Sequence, residues 1–235
     1  MSIIFMWFAA ILPPLLLWIY IWRHDAQPEP TGQLLKAVLF GVGIIIPVAL
    51  LENVIEFFLL GEGATTLLGT TIDAFFVAAL PEESFKLLAL WLVLRRNRYF
   101  DEHYDGIVYA VCIGLGFAAV ENIFYVFADD NWAGVAILRA LLAVPGHYAF
   151  AVMMGYYYSL YHFVDRSPQT AACVLLVPFV GHGVYDALVM SASVDKVVGG
   201  ISFLVLIFFC IKLHKAARSK VVAQIERDKQ DGNRC

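Results

Sequence analysis

The chain has 235 residues, of which 61% are hydrophobic and 15% charged, with a mean hydropathy of +0.75 and a formal net charge of −4. Soluble domains are about 45–50% apolar and about 25% charged, so this composition excludes a soluble globular protein. It predicts an all-α polytopic membrane bundle, since at about 20 residues per span the length accommodates about seven spans and no separate soluble domain.

Seven apolar runs follow one another at about 3–22, 34–60, 70–94, 106–128, 134–163, 169–190 and 197–213. The first, MSIIFMWFAAILPPLLLWIYIW, has no basic leader region and no small-residue cleavage site after it, so it is expected to stay as a span. The second and fifth are long enough to tilt or kink. Pro47, Pro81, Pro145 and Pro178 fall inside runs, where proline frees a carbonyl and marks a kink. The organisation expected is a membrane domain over 1–215 and a basic tail over 216–235, a helix leaving the membrane with a frayed end. Cys112, Cys173, Cys210 and Cys235 form no CxxC pair, which argues against a disulfide framework or a cysteine metal site. No internal repeat is visible.

Lysine and arginine in short loops set orientation. With the N-terminus outside, thirteen of the sixteen basic residues fall in inner loops or in the tail, so an outside N-terminus and a cytoplasmic C-terminus are expected. The exceptions are Lys86, Arg139 and Lys196. The basic tail suits a topology determinant beside anionic lipid, not nucleic-acid binding.

Ionisable residues within the runs carry the functional signal, because each costs several kcal/mol at membrane depth unless paired or facing a polar cavity. The third run holds Glu82, Glu83 and Lys86, the fourth Glu121, the fifth His147, the sixth His182 and Asp186, and the second Glu52 and Glu56 near its outer end. On a helix Lys86 reaches both Glu82 and Glu83, at spacings of four and three. One ammonium neutralises one carboxylate, so the other needs a proton, a metal or a second cation. His182 and Asp186 are four apart on one face, which suits two ligands of one metal or a His–Asp hydrogen bond. Gly181 and Gly183 beside them allow close approach of another element. Each motif alone also fits a structural ion pair.

Depth joins them. Counting about 1.5 Å per residue from the outer end puts Glu121 and His182 about 10–12 Å deep, Asp186 shallower, and Glu82, Glu83 and His147 near the midplane. Four helices thus present acids and histidines in one slab of the outer half, an inventory that suits a divalent metal hydrolase.

The chain resembles the PrsW family of intramembrane proteases, relatives of the CAAX-processing (Abi) membrane proteases. The resemblance rests on EESFK (Glu82, Glu83, Lys86), FAAVE (Phe117, Glu121), PGHYAF (His147) and HGVYD (His182, Asp186), in that order and each on its own run. It covers about residues 35–215. It implies an endopeptidase that cuts a membrane protein near or within the bilayer, in a bacterial inner membrane. In the family's best-known case the substrate is an anti-sigma factor, cut on its extracytoplasmic side. Such a single-span protein is the kind of partner implied, without that identity carrying over. No oligomeric state is implied.

Bilayer proteolysis needs a water, a base and a group to hold the oxyanion. The expected arrangement has Glu121, His147, His182 and Asp186 holding a zinc ion with one position open for water. Glu82 or Glu83 acts as general base and the other pairs with Lys86, with helix spacing favouring Glu83 for the chemistry. A metal-free variant, in which a glutamate activates water and His182 with Asp186 polarises the carbonyl, uses the same residues. Two rivals remain at this stage, an ion-coupled transporter and a ceramidase-like membrane lipid hydrolase.

Overall fold

In the computed structural model, which describes residues 2–61 and 64–232, the described residues form helices and no strands. Helix α1 spans Ser2–His24, α2 Thr31–Gly43, α3 Ile45–Leu59, α4 Leu67–Ile72, α5 Leu80–Leu94, α6 Asp105–Ala128, α7 Trp132–Leu138, α8 Val144–Ser159, α9 Pro168–Met190 and α10 Lys196–Gly232. Six stretches of helix are long and apolar enough to cross a membrane, and they coincide with six of the seven expected runs. The seventh is helical without a break from Leu67 to Leu94. Its charges, Asp73, Glu82, Glu83 and Lys86, set it apart from the other six.

Three of the four prolines act where a missing N–H predicts. Pro47 cannot bond the carbonyl of Gly43, and the second run breaks there into α2 and α3 around Ile44. Pro81 and Pro145 cannot bond the carbonyls of Val77 and Leu141, and both carbonyls lie in π-helical turns, Asp73–Ala79 and Arg139–Ala143. Each turn closes on a wider bond, Leu80 N–H to the Phe75 carbonyl and Val144 N–H to the Arg139 carbonyl. The extra residue makes room for the proline ring and re-aims the helix that follows. Pro178 sits inside α9 without interrupting it.

Helix α6 is the centre of the bundle. Its apolar window is 72% buried, against 11% for α1 and 17% for α10. Phe57, Phe58 and Leu204 are among the many exposed apolar side chains of the outer helices, as expected where lipid is the solvent. Helices α2 and α8 reach α6 through glycine. A Cβ on Gly41 would stand 2.1 Å from the carbonyl oxygen of Ile113, and one on Gly155 would stand 2.3 Å from that of Gly106. Without an apolar driving force between helices in lipid, such close backbone packing is a main source of association. Buried polar bonds tie α1 to the same helix: Asn122 Nδ2 donates to the Ala10 carbonyl at 2.8 Å, and Tyr104 Oη to that of Ile21 at 3.2 Å.

The tail is part of the fold. Helix α10 runs through position 215 without a break, and Ala217, Val221 and Gln224 on it are buried. Asp228 accepts from the backbone N–H groups of His103 and Tyr104 at 2.7 and 2.9 Å, capping the start of α6. Arg234 and Cys235 lie outside the described residues. At the same end, burial pushes the carboxyls of Asp25, Glu29 and Glu102 up from their ordinary range, and Glu29 accepts from Tyr109 Oη at 2.6 Å.

Two predictions follow from these contacts. Gly41→Ala lowers stability by about 1–3 kcal/mol, read as a lower melting temperature in detergent, while Gly200→Ala, where a Cβ meets nothing within 4 Å, leaves it in place. A carboxyl whose pKa is raised by folding binds its proton more tightly in the folded state. Its contribution is therefore present in acid and lost as pH rises from the unfolded value of about 4 through the folded one. Glu29→Gln, which mimics the protonated acid, raises the melting temperature at pH 8, and the gain fades by pH 4.5.

Candidate functional site

Glu82 and Glu83 open α5 directly after the π-turn and Pro81, and Lys86 follows one turn later. All three are buried, Glu83 completely. The Lys86 ammonium lies 2.8 Å from Glu82 Oε2 and 2.8 Å from Glu83 Oε1, so it serves both carboxylates equally. It also lies 4.4 Å from the centre of the Phe117 ring, the phenylalanine of FAAVE, a favourable place for a desolvated cation. Glu83 Oε2 is buried with no hydrogen-bond partner.

His147 opens α8 in the same way, after the second π-turn and Pro145. Its Nδ1 faces the Lys86 ammonium at 3.3 Å and its Nε2 faces Glu121 Oε2 at 2.8 Å. The same Glu121 oxygen lies 2.9 Å from the guanidinium of Arg139. His182 on α9 is placed alike. Its Nδ1 is 2.8 Å from Glu83 Oε1 and its Nε2 is 3.2 Å from Asp186 Oδ2. The ring stacks on Phe150, with centroids 4.9 Å apart. Gly183 gives Phe75 of the first π-turn its place against α9, since a Cβ there would come within 2.4 Å of that ring.

All seven expected residues therefore belong to one connected network. Within it, the donor atoms of Glu82, Glu83, His147 and His182 lie within 4.8 Å of one another. Glu121 and Asp186 stand behind this group, each on the Nε2 of one histidine. Both imidazoles thus turn Nδ1 to the centre and have a carboxylate at the other nitrogen, the arrangement that orients metal-binding histidines.

A cavity of about 810 Å³ opens beside the group between α3, α6, α8, α9 and α10, and its walls are mostly apolar. Glu82, Glu121, His147, His182 and Asp186 line it, and Glu83 does not. Helix spacing favoured Glu83 for chemistry. The structure shares Lys86 between the pair and opens only Glu82 to the cavity. Glu52, Glu56 and Asp73 line the same cavity. The residues in contact with this network that spacing did not single out are Arg139, Asn122 and Phe150. Arg139 carried one signal, as a basic residue outside the loop pattern that sets orientation.

Residues 29–213 match the family described as PrsW family intramembrane metalloprotease. The chain is 36% identical over 187 residues to a protein named Protease PrsW from Clostridioides difficile (strain 630), with 77% of each chain covered. A protein of the same name from Geobacillus kaustophilus (strain HTA426) is 36% identical over 185 residues, which cover 78% of this chain and 79% of the relative. The one from Bacillus subtilis (strain 168) is 33% identical over 227 residues, covering 92% and 97%. No solved structure matches the chain at a significant level. All three relatives carry the name of a protease. The chain belongs to the PrsW family and is an intramembrane protease.

Proposed function

We propose that this protease hydrolyses a peptide bond of a single-span membrane protein in the outer half of the bilayer, with Glu82 as general base. The observation that carries this reading is the convergence of Glu82, Glu83, His147 and His182 in one buried group, of which Glu82, His147 and His182 reach the wall of an apolar cavity. The cavity is large enough for a stretch of unwound substrate backbone, and its walls suit apolar side chains. The thirteen basic residues of the inner loops and tail support an outside N-terminus and a cytoplasmic tail, in a bacterial inner membrane. An anti-sigma factor is a substrate of the right chemistry.

The donor set fits a divalent cation. Two imidazole nitrogens and two carboxylates meet in a buried space, one Glu83 oxygen lacks a partner, and the Lys86 ammonium already stands among three of the donors as the local positive charge. His147, His182 and Glu83 are the residues we assign to hold such an ion, with zinc the best match to this ligand chemistry. This departs from spacing alone, which placed Glu121 and Asp186 among the ligands. Here they orient the two rings. When bound, the ion supplies Lewis acidity that brings the pKa of a water down toward about 7.

The chain's own residues do the rest. Glu82 faces the cavity, takes a proton from the attacking water and returns it to the leaving amine. Lys86 keeps the Glu82–Glu83 pair from holding two uncompensated charges. Phe117 and Phe150 close the polar centre against lipid, so that its charges act in a low dielectric.

Glu82→Gln reduces cleavage of a single-span reporter protein by about 100-fold or more without loss of fold. Full activity in this variant sinks the assignment. Protein purified without chelator carries near-stoichiometric zinc, and His147→Ala and His182→Ala lose it while Glu82→Gln keeps it. Absence of metal from active wild type turns the reading to the glutamate-only mechanism.

A further inference from the structure

Among the described residues, Lys86 and Arg139 are the lysine and arginine that pair with carboxylates of the site. Arg139 sits in the π-turn ahead of α8, mostly buried, with its Nε donating to Asn122 Oδ1 at 2.6 Å and its guanidinium carbon 4.1 Å from the centre of the Tyr125 ring. A terminal nitrogen stands 2.9 Å from Glu121 Oε2 as an ion pair, without the angle of a hydrogen bond. Three neighbours on α6, one turn in length, thus grip one guanidinium from three sides. The grip is itself anchored. Asn122 is fully buried, and its Nδ2 donates to the Ala10 carbonyl, which leaves Oδ1 as the only part of that amide able to face Arg139.

The polarity of these contacts runs in one direction. A carbonyl only accepts, so Asn122 turns its N–H₂ to α1 and its oxygen to Arg139. A guanidinium only donates, so it takes Asn122 Oδ1 as its acceptor, and its charge stands against the Glu121 carboxylate. A carboxylate only accepts, so the contact at 2.8 Å between Glu121 and His147 requires a proton on His147 Nε2. On the other side of the ring an ammonium, which only donates, faces Nδ1 at 3.3 Å.

We propose that Arg139 is a positioning residue, which fixes Glu121 so that His147 carries its proton on Nε2 and presents Nδ1 to the Glu82–Glu83 centre. It does not touch that centre itself. It acts through Glu121, and Asn122 and Tyr125 aim it. Without the guanidinium, Glu121 keeps a buried charge with no fixed cation beside it and is free to leave the imidazole. The proposal rests on His147 belonging to the active centre.

The test reads the imidazole directly, in metal-stripped protein labelled with ¹⁵N-histidine in detergent. The ¹⁵N shifts of the two ring nitrogens separate the tautomers, and the His147 signals are identified by their loss in His147→Asn. Wild type shows the Nε2–H form. Arg139→Met shifts His147 to a mixture of forms and lowers reporter cleavage by about 10-fold to 100-fold, and Arg139→Lys, which restores the charge without the planar fork, recovers part of both. Asn122→Ala leaves the charge in place but frees its aim, and moves the same signals part of the way, which keeps the test open if Arg139→Met fails to fold. Unchanged His147 signals in the folded variants overturn the proposal. Because the protein is metal-free and no turnover is read in the spectra, that outcome is distinct from failure of the protease mechanism. An inactive Glu82→Gln protein with wild-type His147 signals separates the two in the other direction.

Discussion

The structure turns on one ammonium. Lys86 stands between Glu82 and Glu83 and makes it possible for two adjacent carboxylates to lie buried inside the bundle, where a bare pair would repel across a low dielectric. Everything around it follows from housing that charge. Phe117 offers its ring face, His147 turns a nitrogen toward it, and the carboxylates it gathers bring His182 in from α9. Remove the cation and Glu83 keeps only His182 as a close partner, while Glu82 loses its ion pair.

The backbone solves a matching problem. A straight helix carrying a proline loses a hydrogen bond and meets a steric clash one turn earlier. Twice in this chain a π-turn absorbs that conflict immediately before a polar motif, at Pro81 before Glu82 and at Pro145 before His147. The wider turn is a local cost that re-aims the next residues into the bundle. The second π-turn also begins with Arg139, so the distortion that admits Pro145 is where the cation backing Glu121 is placed.

Around the site, the bundle needs rigid neighbours. Helix α6 supplies them, with glycine contacts to α2 and α8, a cap from Asp228 of α10 and buried polar bonds to α1. Phe117, Glu121, Asn122 and Tyr125 all project from this one helix. Helices α5 and α8 pack directly on it, and α9 is placed by packing on α8 and on the first π-turn.

Much of this was legible in the sequence. Composition and run length determined a helical membrane protein, because lipid admits little else. The cost of a charge at membrane depth picked out Glu82, Glu83, Lys86, Glu121, His147, His182 and Asp186, and all seven meet in one network. Pro47 foretold a break and Pro81 and Pro145 foretold π-turns, whereas Pro178 marks neither. Local spacing does not resolve which of several polar atoms faces which, and there the tertiary structure decided. It shared Lys86 between two glutamates, opened Glu82 and not Glu83 to the cavity, set Glu121 and Asp186 behind the histidines, and brought Arg139 from another helix to Glu121. It also packed the tail against the bundle, since Ala217, Val221 and Gln224 find partners distant in sequence. Helical periodicity fixes the face a residue points from, whereas its partner depends on the rotation and register of a neighbouring helix, which only packing in three dimensions sets.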